Sequence, residues 1–188
     1  MMGRLRAMRE PLKYVQGRDA LLKFHEEMGY MGKRWLFVCS NSGYKACHDK
    51  IEKSFEGLDD YRRYEVFGGI SSNGEINKMK AIVEQDNIDT VVAVGGGSAV
   101  DTAKATAYYS GKHIVIVPTV AATDAPCTGL SVIYNDDHSF DKYLFYPTNP
   151  DAVMVDTTVI ANAPVKFLIA GMGDALGTIL DARNEMLV

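Results

Sequence analysis

The sequence predicts an α/β fold: a Rossmann-like parallel sheet flanked by helices, with an added β-hairpin. Three observations carry that prediction. Short apolar runs alternate with longer stretches of helical spacing. One of those runs ends in Gly95-Gly96-Gly97 and passes directly into a helix-compatible segment. Beyond Pro118 the pattern changes to two apolar segments around a polar turn. With 47% hydrophobic residues among 188, the chain has enough apolar surface for one substantial core.

Leu36-Phe37-Val38 reads as a strand, and Gly43 to Phe55 as the helix that follows it. Tyr61 to Phe67 reads as a second strand. In Asn73 to Gln85, residues Ile76, Met79, Ile82 and Val83 recur at the spacings of one helix face, with Ser71, Ser72 or Asn73 as its cap. Thr90 to Val94 is a buried-strand pattern, and Ser98 to Tyr109 the helix after the glycines. His113 to Val117 is a further strand, ended by Pro118. Leu130 to Tyr134 and Tyr143 to Tyr146 flank the turn Asn135 to Ser139 as a hairpin, and Asp151 to Asp156 is one more strand. From Pro164, a first-turn proline, the chain reads as helix to Val188. No stop signal follows that helix, so the expectation is that a C-terminal part is missing.

Charge and composition exclude several function classes. Lys and Arg total 20 against 24 Asp and Glu, with no basic stretch, which argues against nucleic-acid binding. Met1 to Lys13 holds charged residues and no apolar run, so no secretory leader is read there, and no stretch is apolar enough to span a bilayer. Cys39, Cys47 and Cys127 form no Cys-x-x-Cys pair, and a reducing cytoplasm is the expected compartment.

The chemistry-bearing segment is the glycine turn. A strand that ends in three glycines and enters a helix presents bare N–H groups at the positive end of a helix dipole, where phosphate binds. The spaced G-x-G-x-x-G fingerprint is absent. By residue type alone, a tight structural turn competes with a phosphate cradle at this position. Asp101 has a second reading as a carboxylate stabilising the helix dipole. Thr119 reads either as a turn residue or as part of a ligand loop, and Asp124 either as an Asx-turn residue before proline or as an acceptor for hydroxyl groups. Asp174 lies on a helix face of small residues, Ala170, Gly171, Gly177 and Thr178, which invites close approach.

Gly95-Gly96-Gly97-Ser98-x-x-Asp101-Thr102-Ala103-Lys104 resembles the glycine signature of the iron- or zinc-containing alcohol dehydrogenase superfamily. Val117-Pro118-Thr119, Ala122-Thr123-Asp124-Ala125-Pro126-Cys127, Leu130-Ser131-Val132-Ile133-Tyr134, Asn149-Pro150-Asp151 and Ala170-Gly171-Met172-Gly173-Asp174-Ala175-Leu176 follow in order, and together they are similar to its glycerol dehydrogenase branch. The resemblance is strong from Thr90 to about Ala182. It implies a dinucleotide-binding α/β domain over 1–163, and over 164–188 the first helix of a C-terminal all-helical domain that is otherwise largely absent.

The resemblance further implies NAD-dependent, metal-dependent oxidation of glycerol or a related vicinal diol to dihydroxyacetone by hydride transfer, with zinc or iron as the metal. Gly96, Gly97, Ser98 and Asp101 would hold the cofactor, with Thr119 and Ala122 in the next loop and Thr128, Leu130 and Tyr134 on the nicotinamide side. Asp124 would contact the substrate hydroxyls, and Asp174 would be the first metal ligand. The other ligands in the family are histidines of the C-terminal domain; His25, His48, His113 and His138 match none of those positions and read as surface or satisfied core residues. Where the family carries an acidic residue against the adenine ribose, this chain has Ser40-Asn41-Ser42, so NADP is not excluded. An inactive nucleotide-binding fragment and an enzyme acting on a phosphorylated substrate are the competing readings. The expected partners are a small diol and, through an exposed apolar face of the final helix, a second copy of the chain.

Overall fold

A computed structural model describes residues 9–186, with side-chain surroundings through residue 178. Among them are eight strands: β1 (Lys13–Gly17), β2 (Arg34–Cys39), β3 (Tyr61–Val66), β4 (Thr90–Gly95), β5 (His113–Pro118), β6 (Leu130–Tyr134), β7 (Phe140–Phe145) and β8 (Ala152–Asp156). The helices are α1 (Phe24–Met28), α2 (Asn41–Ser54), α3 (Asn73–Gln85), α4 (Gly97–Ser110), α5 (Thr157–Asn162) and α6 (Val165–Met186).

Six strands form one wholly parallel sheet in the order β1-β8-β5-β4-β2-β3. Parallel strands covered on both faces read as continuous apolar runs, which is why β2, β4, β5 and β8 were legible. Alternate residues supply two cores. Trp35, Phe37, Val92, Val94, Val115, Val117 and Met154 pack with α1 and α2 on one face. Leu36, Val38, Val91, Ala93, Ile116 and Val153 pack with α3 and α4 on the other. The first core is rich in rings: Phe24 meets Trp35 edge-on at 5.7 Å between centroids, and Phe55 meets Trp35 at 5.9 Å.

The structure corrects the sequence reading at the periphery. β1 pairs with β8 in register as an edge strand, and α1 and α5 are extra helices. β1 alternates half-buried and exposed residues over only five positions, too short for its period to stand out. The hairpin is antiparallel as predicted, but it forms its own two-stranded sheet on α4, and its second strand begins at Phe140. A single parallel bridge, Ser72 to Tyr134, links it to the α3 entrance. The final helix starts at Val165 and continues to Met186; the last two residues of the predicted helix lie outside the described residues. No described helix is long and apolar enough to cross a membrane.

Burial gives the thiols a testable order of reactivity. Desolvation pushes the thiols of Cys39 and Cys47, both in the core cluster under α2, up to about 12. At pH 8 their thiolate fraction is then on the order of 10⁻⁴. The expected result with Ellman's reagent is that half-buried Cys127 reacts in the native protein while Cys39 and Cys47 react only in denaturant. Rapid loss of all three thiols under native conditions would contradict this packing.

Candidate functional site

The N-terminus of α4 differs from those of the neighbouring helices. Ser40 caps α2 by accepting from Gly43 N–H at 3.0 Å, Ser72 caps α3 by accepting from Glu75 N–H at 3.3 Å, and Asp156 caps α5 by accepting from Thr158 N–H at 2.9 Å. At α4 the cap position is Gly96, no side chain bonds the first N–H groups, and no acidic residue occupies the first turn. The donors there are left for something else.

The three glycines have different physical reasons. A Cβ on Gly95 would stand 2.7 Å from the Ala99 Cβ and 3.0 Å from Ser40 Oγ, so the fold itself requires glycine there. A Cβ on Gly96 or Gly97 would meet nothing nearer than a Val120 methyl at 3.4 Å or a Thr123 methyl at 3.6 Å, which is ordinary contact. Neither residue has a positive φ. Packing does not call for glycine at 96 and 97, and the turn is open to close backbone approach by a ligand. Strand neighbours fix the turn: Thr119 N–H donates to Gly95 O at 3.1 Å and Ser40 N–H to Val94 O at 3.0 Å.

Two cavities meet at Val120, over the carboxyl ends of the strands. One, of about 460 Å³, is bounded by Ser42, Lys50, Thr119, Asn162 and Phe167; the other, of about 360 Å³, by Gln16, Thr123, Asp124, Cys127 and Thr157. A larger cavity of about 740 Å³ lies at the opposite, amino-terminal ends, beside Lys33, Asp89, His113 and Asp151. Open parallel sheets bind ligands beyond the carboxyl ends, where the helix N-termini converge, so size does not decide the site.

Asp124 and Asp174, fifty residues apart in sequence, are brought together: the Asp124 N–H donates to the Asp174 carboxylate at 3.3 Å. Both side chains belong to exposed residues at the mouth of the second cavity or beside it. Gly171 sets this approach. A Cβ on Gly171 would stand 2.2 Å from Ala121 O and 3.3 Å from the Cα of Ala122, so α6 can lie on the 121–124 loop only through glycine. The small-residue face of α6 is thus explained at Gly171, while Gly173 and Gly177 meet nothing within 4 Å.

Asp101 is buried and faces the hairpin, not the open turn. Its carboxylate accepts from Val132 N–H at 3.2 Å and pairs with Lys104 at 3.4 Å. Lys104, 2% exposed, donates to the carbonyls of Ala125 at 3.0 Å, Thr128 at 3.3 Å and Leu130. These bonds place Thr128 and Leu130 where the hairpin leaves the site loop, and Tyr134 is held at the far end of β6 by its N–H to Ser71 O at 2.9 Å. Desolvation holds the Lys104 ammonium below its ordinary value against the pull of Asp101, and raises the Asp101 carboxyl against the pull of Lys104. Lys104 lay inside the glycine signature without a role assigned; the signal available was a lone cation in an otherwise small and apolar helix, Ala99 to Ala107.

The histidines stand apart from this site. His25 faces Asp60 at 3.4 Å, His48 faces Asp49 at 3.0 Å, His113 faces Asp151 at 3.2 Å, and His138 occupies the hairpin turn with φ 72°. Among the described residues, no group of three or more His, Cys, Asp or Glu side chains is arranged to hold a metal ion. A catalytic zinc needs about three protein ligands, so Asp174 alone does not make the site.

Comparison with known proteins agrees with this architecture. The family model for iron-containing alcohol dehydrogenase matches residues 11–157. A glycerol dehydrogenase of Escherichia coli O6:H1 is 41% identical over 178 residues, covering 95% of this chain and 48% of that protein. One from Thermotoga maritima is 43% identical over 181 residues, covering 93% and 47%. The crystal structure of a probable glycerol dehydrogenase from Sinorhizobium meliloti 1021 superposes with a TM-score of 0.87 at 39% identity, over 96% of this chain and 49% of that one. The chain therefore spans about half the length of the relatives it matches. With its glycine-led α4, its parallel sheet and this match over most of its length, the chain belongs to the iron-containing alcohol dehydrogenase family.

Proposed function

We propose that this chain is the dinucleotide-binding half of an NAD-dependent polyol dehydrogenase acting on glycerol or a related vicinal diol. The observation that carries the reading is the α4 entrance: uncapped N–H groups behind two glycines that packing does not require. In this reading the N–H groups of Gly97 and Ser98 hold the pyrophosphate and Gly96 gives it room. Thr119 and Ala122 meet the cofactor from the next loop. Thr128, Leu130 and Tyr134 line the nicotinamide side, from the end of the site loop along β6, whose start Lys104 and Asp101 hold. When bound, the nicotinamide supplies the hydride acceptor. Asp124, exposed at the cavity mouth, orients the diol by accepting from its hydroxyl groups.

Asp174 is proposed as one ligand of a metal whose remaining ligands lie outside the described residues. Among the described residues Asp174 has no second and third ligand beside it. That observation also favours a second reading, in which this chain by itself binds dinucleotide without turning over substrate.

The test is calorimetric titration of the chain with NADH, followed by assay with glycerol, NAD and zinc. Saturable binding that is lost in Gly97→Val, with the melting temperature retained, is the expected result. A folded chain that ignores the dinucleotide would remove the proposal. Turnover by this chain alone would remove the second reading.

A further inference from the structure

We propose that the large cavity at the amino-terminal ends of the strands is a second ligand site, for a flat aromatic anion, and that its occupation strengthens dinucleotide binding by bracing the loop from Ala125 to Leu130. The ligand site stands on the cavity itself; the coupling rests on the proposed dinucleotide reading. At about 740 Å³ the cavity is far larger than the voids of a packed interior and falls within the range of small-molecule sites, roughly 300–1,000 Å³. Tyr30, Tyr108 and Tyr146 line it, and the last two meet edge-on at 5.1 Å between centroids. The charge left uncommitted in the wall is positive. Asp89 accepts from Lys33 N–H at 2.9 Å and Arg34 N–H at 3.0 Å, while Asp151 accepts from Ile114 N–H at 2.9 Å and faces His113 at 3.2 Å. The carbonyls at the end of α4 are taken as well, Tyr108 O by Gly111 N–H at 3.3 Å and Ala107 O by Lys112 N–H at 3.0 Å. The ammonium of Lys112, a half-buried residue of the same wall, has no ion-pair or hydrogen-bond partner among the described residues. Lys33 Nζ comes no nearer than 3.8 Å to a carboxylate. Aromatic faces beside unmatched ammonium groups suit a ring that carries a carboxylate.

The wall of this cavity is also the back of the site loop. Lys104, Tyr146 and Asn149 all belong to the wall. Asn149 Nδ2 donates to Cys127 O at 2.8 Å, Lys104 to Thr128 O at 3.3 Å, Tyr146 N–H to Gly129 O at 2.8 Å, and Lys104 again to Leu130 O. Four consecutive carbonyls of the loop thus hang on three residues of the cavity wall. The contact is close: a Cβ on Gly129 would stand 3.0 Å from both Asn149 Oδ1 and Thr148 O. A ligand seated against this wall restrains the loop that presents Thr128 and Leu130, so less ordering remains for the dinucleotide to complete.

The probe is 2-naphthoate, titrated into the chain by calorimetry with and without saturating NADH. Beside it run 2-naphthamide, which lacks the charge, and decahydro-2-naphthoate, which lacks the aromatic ring. Saturable binding of 2-naphthoate is expected, with each comparator weaker by at least about tenfold. Saturating NADH is expected to tighten the probe by at least about fivefold, and saturating probe to tighten NADH by the same factor, because coupling between two sites is reciprocal. Lys112→Glu and Tyr108→Ala, each checked by a melting curve, are expected to weaken the probe by at least about tenfold and to leave NADH affinity unchanged in its absence. Absence of saturable probe binding overturns the proposal, as does a comparator that binds equally well. So does probe binding that NADH weakens or leaves unchanged, or that neither substitution alters in the folded variants. Probe binding in a chain that ignores NADH brings down the dinucleotide reading and the coupling, and leaves the ligand site standing. NADH binding in a chain that ignores the probe does the reverse.

Discussion

Lys104→Met is expected to cost about 3–5 kcal/mol of folding stability, the range for breaking a buried ion pair on one side. The substitution keeps the apolar stem and removes the ammonium that serves the carbonyls of Ala125, Thr128 and Leu130 and faces the Asp101 carboxylate. All four acceptors lose their cation in a site where Lys104 is 2% exposed. A urea titration at neutral pH reads the loss, and adding Asp101→Asn to the variant separates its causes. Asparagine keeps an acceptor for Val132 N–H but carries no charge, so the double variant is expected to be more stable than Lys104→Met alone. Equal or greater loss in the double variant would show that the ion pair is not the source.

The pH dependence has a definite sign. The folded Asp101 carboxyl sits above its ordinary 3.8, chiefly through desolvation, and without Lys104 it rises further. A raised folded pKa contributes stability that is full below the unfolded value and is lost as pH rises through the folded one. The deficit of Lys104→Met is therefore expected to shrink as pH falls toward 3.8 and to be largest at neutral pH. A deficit independent of pH across that window would count against an uncompensated carboxylate.

Gly43→Val carries the second large effect, through backbone contact. A Cβ at position 43 would lie 2.4 Å from Val94 O and 2.9 Å from Ser40 Oγ, and Val94 O is the acceptor that ties Ser40 to the end of β4. Neither a strand carbonyl in the sheet centre nor the helix cap can move aside cheaply, so α2 must lift from the sheet. A loss of about 1–3 kcal/mol is the usual cost of forcing atoms into a packed interior, and a contact this short belongs at the upper end. In thermal unfolding that is a fall of roughly 2–4 °C per kcal/mol for a chain of this size. Dinucleotide affinity is expected to fall with it, because Ser40 and Gly95 share the displaced contact. Gly97→Val is the contrasting case, in which binding is lost while the melting temperature is kept; a large drop in melting temperature there would mean that Gly97 serves packing after all.

The parts of the fold legible from sequence were those with strong local patterning. β4 and β5 are uninterrupted apolar runs because both of their faces are covered, and α3 shows its buried residues Ile76, Met79, Ile82 and Val83 at helical spacing. Its cap was narrowed to Ser71, Ser72 or Asn73, and Ser72 is the one whose Oγ reaches the Glu75 N–H. β1 escaped because a half-exposed edge strand needs no apolar run. Its definition comes from pairing with β8, some 140 residues away along the chain, at Lys13 to Ala152.

The site divides in the same way. The glycine turn, its strand and its helix form one continuous segment, so the sequence by itself offers two readings of it, a tight structural turn and a phosphate cradle. The sequence also placed Thr119, Ala122 and Asp124 past the end of β5, where a parallel sheet opens. What only the tertiary structure decided is which of these groups face one another. Asp101 turns inward because Lys104 and the Val132 N–H take its carboxylate. Asp174 reaches Asp124 because Gly171 lets α6 lie on the Ala121 carbonyl. Residue type and local period are properties of a few consecutive positions and can be read along the chain. The direction in which a carboxylate points is set by partners that folding supplies from elsewhere, and it becomes visible only once those partners are in place.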